Sequence, residues 1–345
     1  MTRPSHTLLV ANPTAQSGKN AERIEKARLL LDAAGVPHVF LATLPHGGTV
    51  HAVAEVLSTG DFDTAVYMGG DGTFAEVAKG ILASGRPDHV RLAMLPTGTA
   101  NDQGRSFGLS AEPDALARNV AVIAAGRGAR LDVGKLQGFD DAGRLVREDY
   151  FFDSAGWGIS PRILALRNED RRTIASIPVV REVYRDQLVY AGAMLRTFVT
   201  SYAEDDGFDV EAVIDGAPRR WAGLTDLVVK GTQIYGGIWV LDPDGRPDDG
   251  RFEVVPFAHR ADWLSKALVH LEHSGMFTSA LESLGVVHSK GASGASIELD
   301  FLEHPGALPI RAQIDGEEFP TTARVRIDVQ ARTLRLIVPE QHATD

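Results

Sequence analysis

The sequence predicts an α/β fold, a Rossmann-like N-terminal domain around a parallel sheet followed by a β-sandwich domain, with the active site in the cleft between the two. Three observations predict it. Residues 1–131 alternate strand-like and helix-like segments, residues 132–331 read mostly as strands, and polar, turn-rich loops recur just after the strand-like segments of the first part. A tail at about 332–345 is expected to pack back on the first domain.

Thr7–Ala11 is a short continuous apolar run, the pattern of a buried strand. A helix over 22–34 follows, with Ile24, Ala27, Leu30 and Leu31 on one face, and Gly35 supplies the residue that closes helices. Residues 36–41 form the second strand, after which Val50, Val53, Ala54 and Leu57 recur at helical spacing. Residues 64–68 form the third, and Thr73 with Glu76 has the spacing of a capping box that would fix the start of the next helix. A fourth strand covers 91–95. Such a βαβα order gives a parallel sheet whose ligands collect at the C-terminal ends of its strands. Asn12-Pro13, Thr43, Gly69 to Thr73 and Pro96 to Asp102 all fall at those ends.

Beyond Leu131 the strand signals lie at 150–152, 209–214, 227–230, 238–241, 252–257, 296–301, 310–314, 325–329 and 334–338. Asp215-Gly216 and Asp315-Gly316 are hairpin turn dipeptides between them. Helical stretches at 179–201 and 261–273 interrupt the pattern.

The composition narrows the function. At 345 residues the chain is long for one core, and 44% hydrophobic with 23% charged residues describes an ordinary soluble globular protein. No cysteine is present, which excludes disulfides and thiolate metal sites and fits a cytoplasmic protein. No apolar run is long enough for a transmembrane segment. A formal charge of −11 argues against nucleic acid as a partner and against simple attachment to anionic lipid. Arg162, Arg167, Arg171, Arg172, Arg181 and Arg185 gather in one stretch, as a solvated helix face or as a local basic patch. A homodimer is compatible with all of this.

The most informative segment is Gly69-Gly70-Asp71-Gly72-Thr73. Its glycines allow close approach of backbone to ligand, and the helix start behind them offers unpaired N–H groups to an anion. Asp71 is the one charge in the turn. An acid beside polyphosphate repels it unless a divalent cation lies between them, so the run reads as a nucleotide loop working through Mg²⁺. An ordinary strand-to-helix turn with a solvated Asp gives the same five residues.

Three motifs in this order decide between the two: Asn12-Pro13 with Ser17-Gly18-Lys19, then the glycine loop with Glu76, then Pro96-Thr97-Gly98-Thr99-Ala100-Asn101-Asp102. Leu131-Asp132-Val133-Gly134, the segment 152–159, Asp249-Gly250 and Ile314-Asp315-Gly316-Glu317 follow. In order and approximate spacing the chain resembles the diacylglycerol kinase catalytic-domain family, which includes bacterial lipid kinases and sphingosine and ceramide kinases. The resemblance implies an ATP site of Asn12, Thr43, Gly69, Gly70, Gly72, Thr73, Glu76, Gly98, Thr99 and Asn101. It implies Asp71, Asp102 and Asp132 around a Mg²⁺–water network, and a structural metal at Asp249. Glu317 matches the base that takes the acceptor proton, with Asp315 beside it and Asp71 completing the catalytic set. The implied activity is transfer of phosphate from ATP to a lipid hydroxyl at a membrane surface, the chain being cytoplasmic and peripheral on the inner face.

Several residues depart from the family pattern. Ala15 and Gln16 lengthen the first loop, Asp153-Ser154 stands where an Asn is usual, and Arg246 stands where a second acid is expected beside Asp249, leaving Asp244 or Asp248 to substitute. Asp102 also fits a helix cap, and Asp315-Gly316 also fits a plain hairpin turn. The stretch 183–199 fits either a lipid-flanking helix or core packing. A kinase of a soluble small molecule of the NAD kinase type and a non-catalytic lipid-binding regulatory protein are the competing functions. No Walker loop or dinucleotide fingerprint is present.

Overall fold

Leu8, Val10, Leu9 and Ala11 alternate in β1 (Thr7–Ala11), and because strand side chains point to opposite faces, the first two enter one hydrophobic cluster and the last two another. The same alternation recurs in the neighbouring strands, which is why this sheet is covered by helices on both sides. The computed structural model describes residues 6–15, 19–98, 100–158, 161, 207–235, 239–240, 245–257, 291–303 and 309–344.

Along the first part run β1, α1 (Lys19–Ala33), β2 (His38–Ala42), α2 (Gly48–Ser58), β3 (Thr64–Gly69), α3 (Asp71–Ala83) and β4 (Arg91–Pro96). The four strands are parallel in the order β2-β1-β3-β4, so the chain changes direction across the sheet between β1 and β3. Ligands of such sheets bind at that switch point. Helix α3 buries Phe74, Val77, Ala78 and Ile81, spaced three and four apart, against the same face as α2. On the other face Ile24, Ala27 and Leu31 of α1 pack with Leu116, Val120 and Ile123.

Next come α4 (Asp102–Ser106), α5 (Leu116–Ala125), β5 (Gly128–Phe139), β6 (Leu145–Phe151) and β7 (Ser154–Gly158). The strands β8 (Phe208–Ile214), β9 (Ala217–Leu224), β10 (Asp226–Lys230), β11 (Ile234–Tyr235), β12 (Trp239–Val240), β13 (Phe252–Phe257), β14 (Ala292–Gly294), β15 (Ser296–Glu303), β16 (Ala312–Ile314), β17 (Glu317–Phe319) and β18 (Arg324–Ile337) follow. One six-stranded sheet has the order β14-β13-β10-β7-β16-β17. It faces the antiparallel run β18-β15-β8-β9, and the two share a core in which the Trp157 and Phe301 ring centroids lie 5.3 Å apart. That is the expected β-rich half.

The two halves share a sheet. Strand β18 pairs in parallel with β4 at Arg335 and Leu336, and antiparallel with β5 and β15. A ten-stranded sheet therefore runs from the α/β part into the sandwich, and the expected boundary at 131/132 falls inside β5.

Several expectations need correction. The expected strands 325–329 and 334–338 are one strand, β18, broken only by a register shift between Gln330 and Leu334 where Arg332 takes φ 53. The capping box does not form. Phe74 N–H bonds Gly70 O at 3.1 Å, so α3 starts at Asp71 with Gly70 as its cap and Thr73 already inside the first turn. Helix α1 starts at Lys19 rather than 22, and the second strand begins at His38. Strands β5, β7, β9, β11, β14 and β17 fall outside the expected runs; in β5 and β9, Gly128-Ala129-Arg130 and Pro218-Arg219-Arg220 carry little strand character. The helices at 179–201 and 261–273, the arginines from 162 to 185, Gln16, Ser17, Gly18, Thr99, Ile159 and Asp244 lie outside the described residues.

Candidate active site

The glycine loop is built by a close approach of two loops. Thr97 N–H and Gly98 N–H bond Gly69 O at 2.7 and 3.2 Å, fastening the turn after β4 onto the turn after β3. A Cβ at Gly98 would sit 2.5 Å from Gly70 Cα, so the contact needs glycine. Asn101, at φ 55, locks the second turn by accepting Gly98 N–H at 2.8 Å and donating Nδ2 to Gly98 O at 2.7 Å.

Asp71 is the first residue of α3, and its Oδ2 accepts Asn101 N–H at 2.8 Å. Its Oδ1 is buried with no partner among the described residues. Burial, then the nearby Asp153 charge, raises this carboxyl to about 6. Glu76 lies one turn along α3, its pKa raised by burial and by Glu317, and lowered by a hydrogen bond with Thr49.

Asp315 and Gly316 form a two-residue turn with φ 47 and 79 between β16 and β17, so the hairpin reading of the dipeptide is correct. The same Asp carries a second role. Its carboxylate accepts the N–H groups of Phe152, Asp153 and Ser154 at 2.9, 2.8 and 3.1 Å, tying the turn between β6 and β7. Burial, with Asp153 second, pushes it to about 7. Glu317 is exposed, and Oε1 lies 3.6 Å from where a Cβ on Gly72 would be, so the hairpin brings it over the start of α3.

Asp153 was noted from sequence only as a departure, yet it is a hub. It holds Lys230 Nζ at 3.2 Å and accepts the Thr232 hydroxyl, while its own carbonyl accepts Gly231 N–H at 2.9 Å. Lys230, Thr232 and Gln103, whose Nε2 donates to Phe152 O at 2.7 Å, were not anticipated. A lysine ending the apolar run Leu227-Val228-Val229 and an Asp after Phe151-Phe152 were the available signals.

The remaining expected residues have the following partners. Asp132, fully buried in β5, accepts Gly250 N–H and Arg332 N–H, both at 2.6 Å, so both oxygens are committed to the 247–250 turn and to the kink of β18. Asp249 is exposed and accepts Arg251 N–H at 3.0 Å, while Asp248 lies 3.9 Å from Arg332. Arg246 is exposed. Asp102 opens α4. Asn12 turns inward on its own loop, accepting Thr14 N–H at 2.9 Å, and Thr43 N–H extends the sheet to Ala11 O at 3.0 Å.

Among the described residues no group of three His, Asp or Glu could hold a metal alone. The unpartnered Asp71 oxygen beside a glycine loop fits a different arrangement, a hard cation held by one carboxylate and otherwise by phosphate and water. No described helix is long and apolar enough to cross a membrane.

Comparison with known proteins gives concordant results. Residues 6–136 match the diacylglycerol kinase catalytic domain. A Pseudomonas aeruginosa (strain UCBPP-PA14) protein named "Probable lipid kinase YegS-like" is 31% identical over 242 residues, 69% of this chain and 68% of that protein. A diacylglycerol kinase of Staphylococcus aureus (strain bovine RF122 / ET3-1) is 30% identical over 247 residues, 72% of this chain and 69% of that protein. In fold, a diacylglycerol kinase crystal structure from Bacillus anthracis aligns over 99% of both chains with TM-score 0.68 at 20% identity. Yeast NADH kinase aligns over 99% of this chain and 85% of that one with TM-score 0.52 at 9% identity.

Proposed function

Because the chain belongs to the diacylglycerol kinase catalytic-domain family of lipid kinases, we propose that it transfers the γ-phosphoryl group of ATP, with Mg²⁺, to the hydroxyl of a lipid alcohol at a membrane surface. The observation that carries this reading is Glu317 standing over the first turn of α3, a carboxylate from the β-rich half beside the glycine loop of the other. Phosphoryl transfer needs positioned phosphates, neutralised charge and a base for the attacking hydroxyl.

In this reading residues 1–131 hold the nucleotide and 132–331 the acceptor. Backbone N–H groups at the glycine loop and the start of α3 receive the phosphates. Glu317 accepts the proton of the lipid hydroxyl as its oxygen attacks the γ-phosphorus and ADP leaves. Asp315 positions the 152–154 turn and, through its hairpin, Glu317. Asp71 would provide the protein oxygen for Mg²⁺, with Asp102 at the start of the neighbouring α4. When bound, the cation neutralises charge developing on the phosphates.

The test is transfer of label from γ-labelled ATP into a mixed lipid extract in detergent micelles. The native chain is expected to label one lipid, and Asp71→Asn and Glu317→Gln to abolish the spot. Binding of ATP without any labelled lipid would move the acceptor to a soluble molecule and sink the lipid assignment.

A further inference from the structure

Asp153 lies on the turn joining β6 to β7, which Asp315 holds through Asp153 N–H at 2.8 Å and which Gln103 of α4 ties at Phe152 O at 2.7 Å, next to Asn101, whose N–H bonds Asp71 at 2.8 Å. Asp71, Asp153 and Asp315 come from three separate elements, and Asp153 raises both of the others. Burying such acids is costly unless something offsets their charge. The structure provides a lysine. Lys230, at 1% exposure, ends β10 opposite Ser154 and holds Asp153 Oδ1 and Oδ2 at 3.2 and 3.3 Å. Its ammonium also donates to Ile234 O at 2.5 Å and stands 5.2 Å from the centroid of the Tyr235 ring.

We propose that Lys230 is a positioning residue for phosphoryl transfer: locked on Asp153, its ammonium is the buried counter-charge that holds the 152–154 turn, and with it Asp315 and the Glu317 hairpin, beside the glycine loop. Two features argue for this role over simple stabilisation. A buried ion pair contributes little net stability, because desolvation of both charges offsets their attraction. The pair also sits where its charge reaches the site. Asp153 interacts with the carboxylate that carries the unpartnered oxygen and with the one that fixes the 152–154 turn. With Lys230 and Asp153 both charged the pair is neutral, so the site keeps the charge of Asp71 and Asp315. Losing only the lysine adds one negative charge next to the place that receives polyphosphate. Losing only the Asp leaves a cation buried without its carboxylate.

This inference rests on the kinase reading above, and a double-mutant cycle separates the two. Lys230→Met, Asp153→Asn, their combination and Lys230→Arg are compared with the native chain for label transfer from ATP to lipid, per mole of protein that melts cooperatively. Each neutralising single substitution is expected to lower kcat by about tenfold or more, with KM for ATP moving less, and the double variant to recover to within about fivefold of native, because its site charge is restored. Lys230→Arg should retain more activity than Lys230→Met. A purely structural pair would shift melting temperatures and leave kcat of the folded fraction intact. That result, or a double variant as slow as the worse single, overturns the proposal. If Lys230→Met does not fold, Asp153→Asn against the double variant decides by the same criterion. A native chain that labels no lipid removes the kinase reading itself, and this inference with it.

Discussion

Asp71 and Asp315 are acids held above their ordinary range, to about 6 and about 7, chiefly by burial. An acid whose pKa is higher folded than unfolded has its stabilisation in full below the unfolded value near 3.8 and loses it as pH rises through the folded one. Without nucleotide, the melting temperature is therefore expected to fall between about pH 4 and pH 7, and Asp71→Asn to flatten that slope. A slope unaltered by the substitution would show that Asp71 is not charged at the expense of the fold. The same variant should lose on the order of 10²–10³-fold in kcat while melting no lower than native near pH 8. Gly98→Ala tests the loop contact. Its Cβ would meet Gly70 Cα at 2.5 Å and Asn101 Oδ1 at 2.9 Å, so the turns must separate. Loss of about 1–3 kcal/mol is expected in denaturant unfolding, with weaker ATP binding by calorimetry.

At the level of elements, β5 and β18 are cross-tied by Asp132, whose oxygens receive Gly250 N–H and Arg332 N–H. Asp132→Ala orphans both donors and is expected to cost about 2–5 kcal/mol, while the folded fraction keeps far more transfer activity than Asp71→Asn. Equal losses of kcat in the two variants, at equal folded fractions, would return Asp132 to the metal set. This element shows what the sequence could and could not tell. The parallel strands were legible because runs such as Thr7 to Ala11 are buried on both faces, and Asp315-Gly316 was legible because few dipeptides favour two successive positive φ values. β5 was not, since its pairing with β18 joins residues near 130 to residues near 335 and leaves no local pattern. The partners of Asp132 were hidden for a related reason. A motif gives a residue's position in the chain, whereas the partners of its carboxylate come from turns over 100 residues away. Lys230 was missed because burial, not residue type, makes it unusual.

Across the whole molecule, β18 belongs to both cores: Val325 and Ile327 lie in the sandwich, Leu334 and Leu336 among the helices of the α/β part. Leu336→Ala is expected to cost about 2–5 kcal/mol and to lower the stability of both halves together. Far-UV circular dichroism and tryptophan fluorescence, whose four reporters include Trp157 and Trp221 in the sandwich, should then give one coincident midpoint. Separate midpoints would show that the shared sheet does not couple the halves. The pairing of Arg91 with Arg335 has a further consequence for a nascent chain leaving the ribosome. β4 is made early and stays an open sheet edge until β18 has been translated, so the emerging polypeptide exposes a strand ready to pair wrongly. The ten-stranded sheet is thereby completed only when almost the entire length described has been synthesised, so covering that edge is expected to matter for the yield of folded chain.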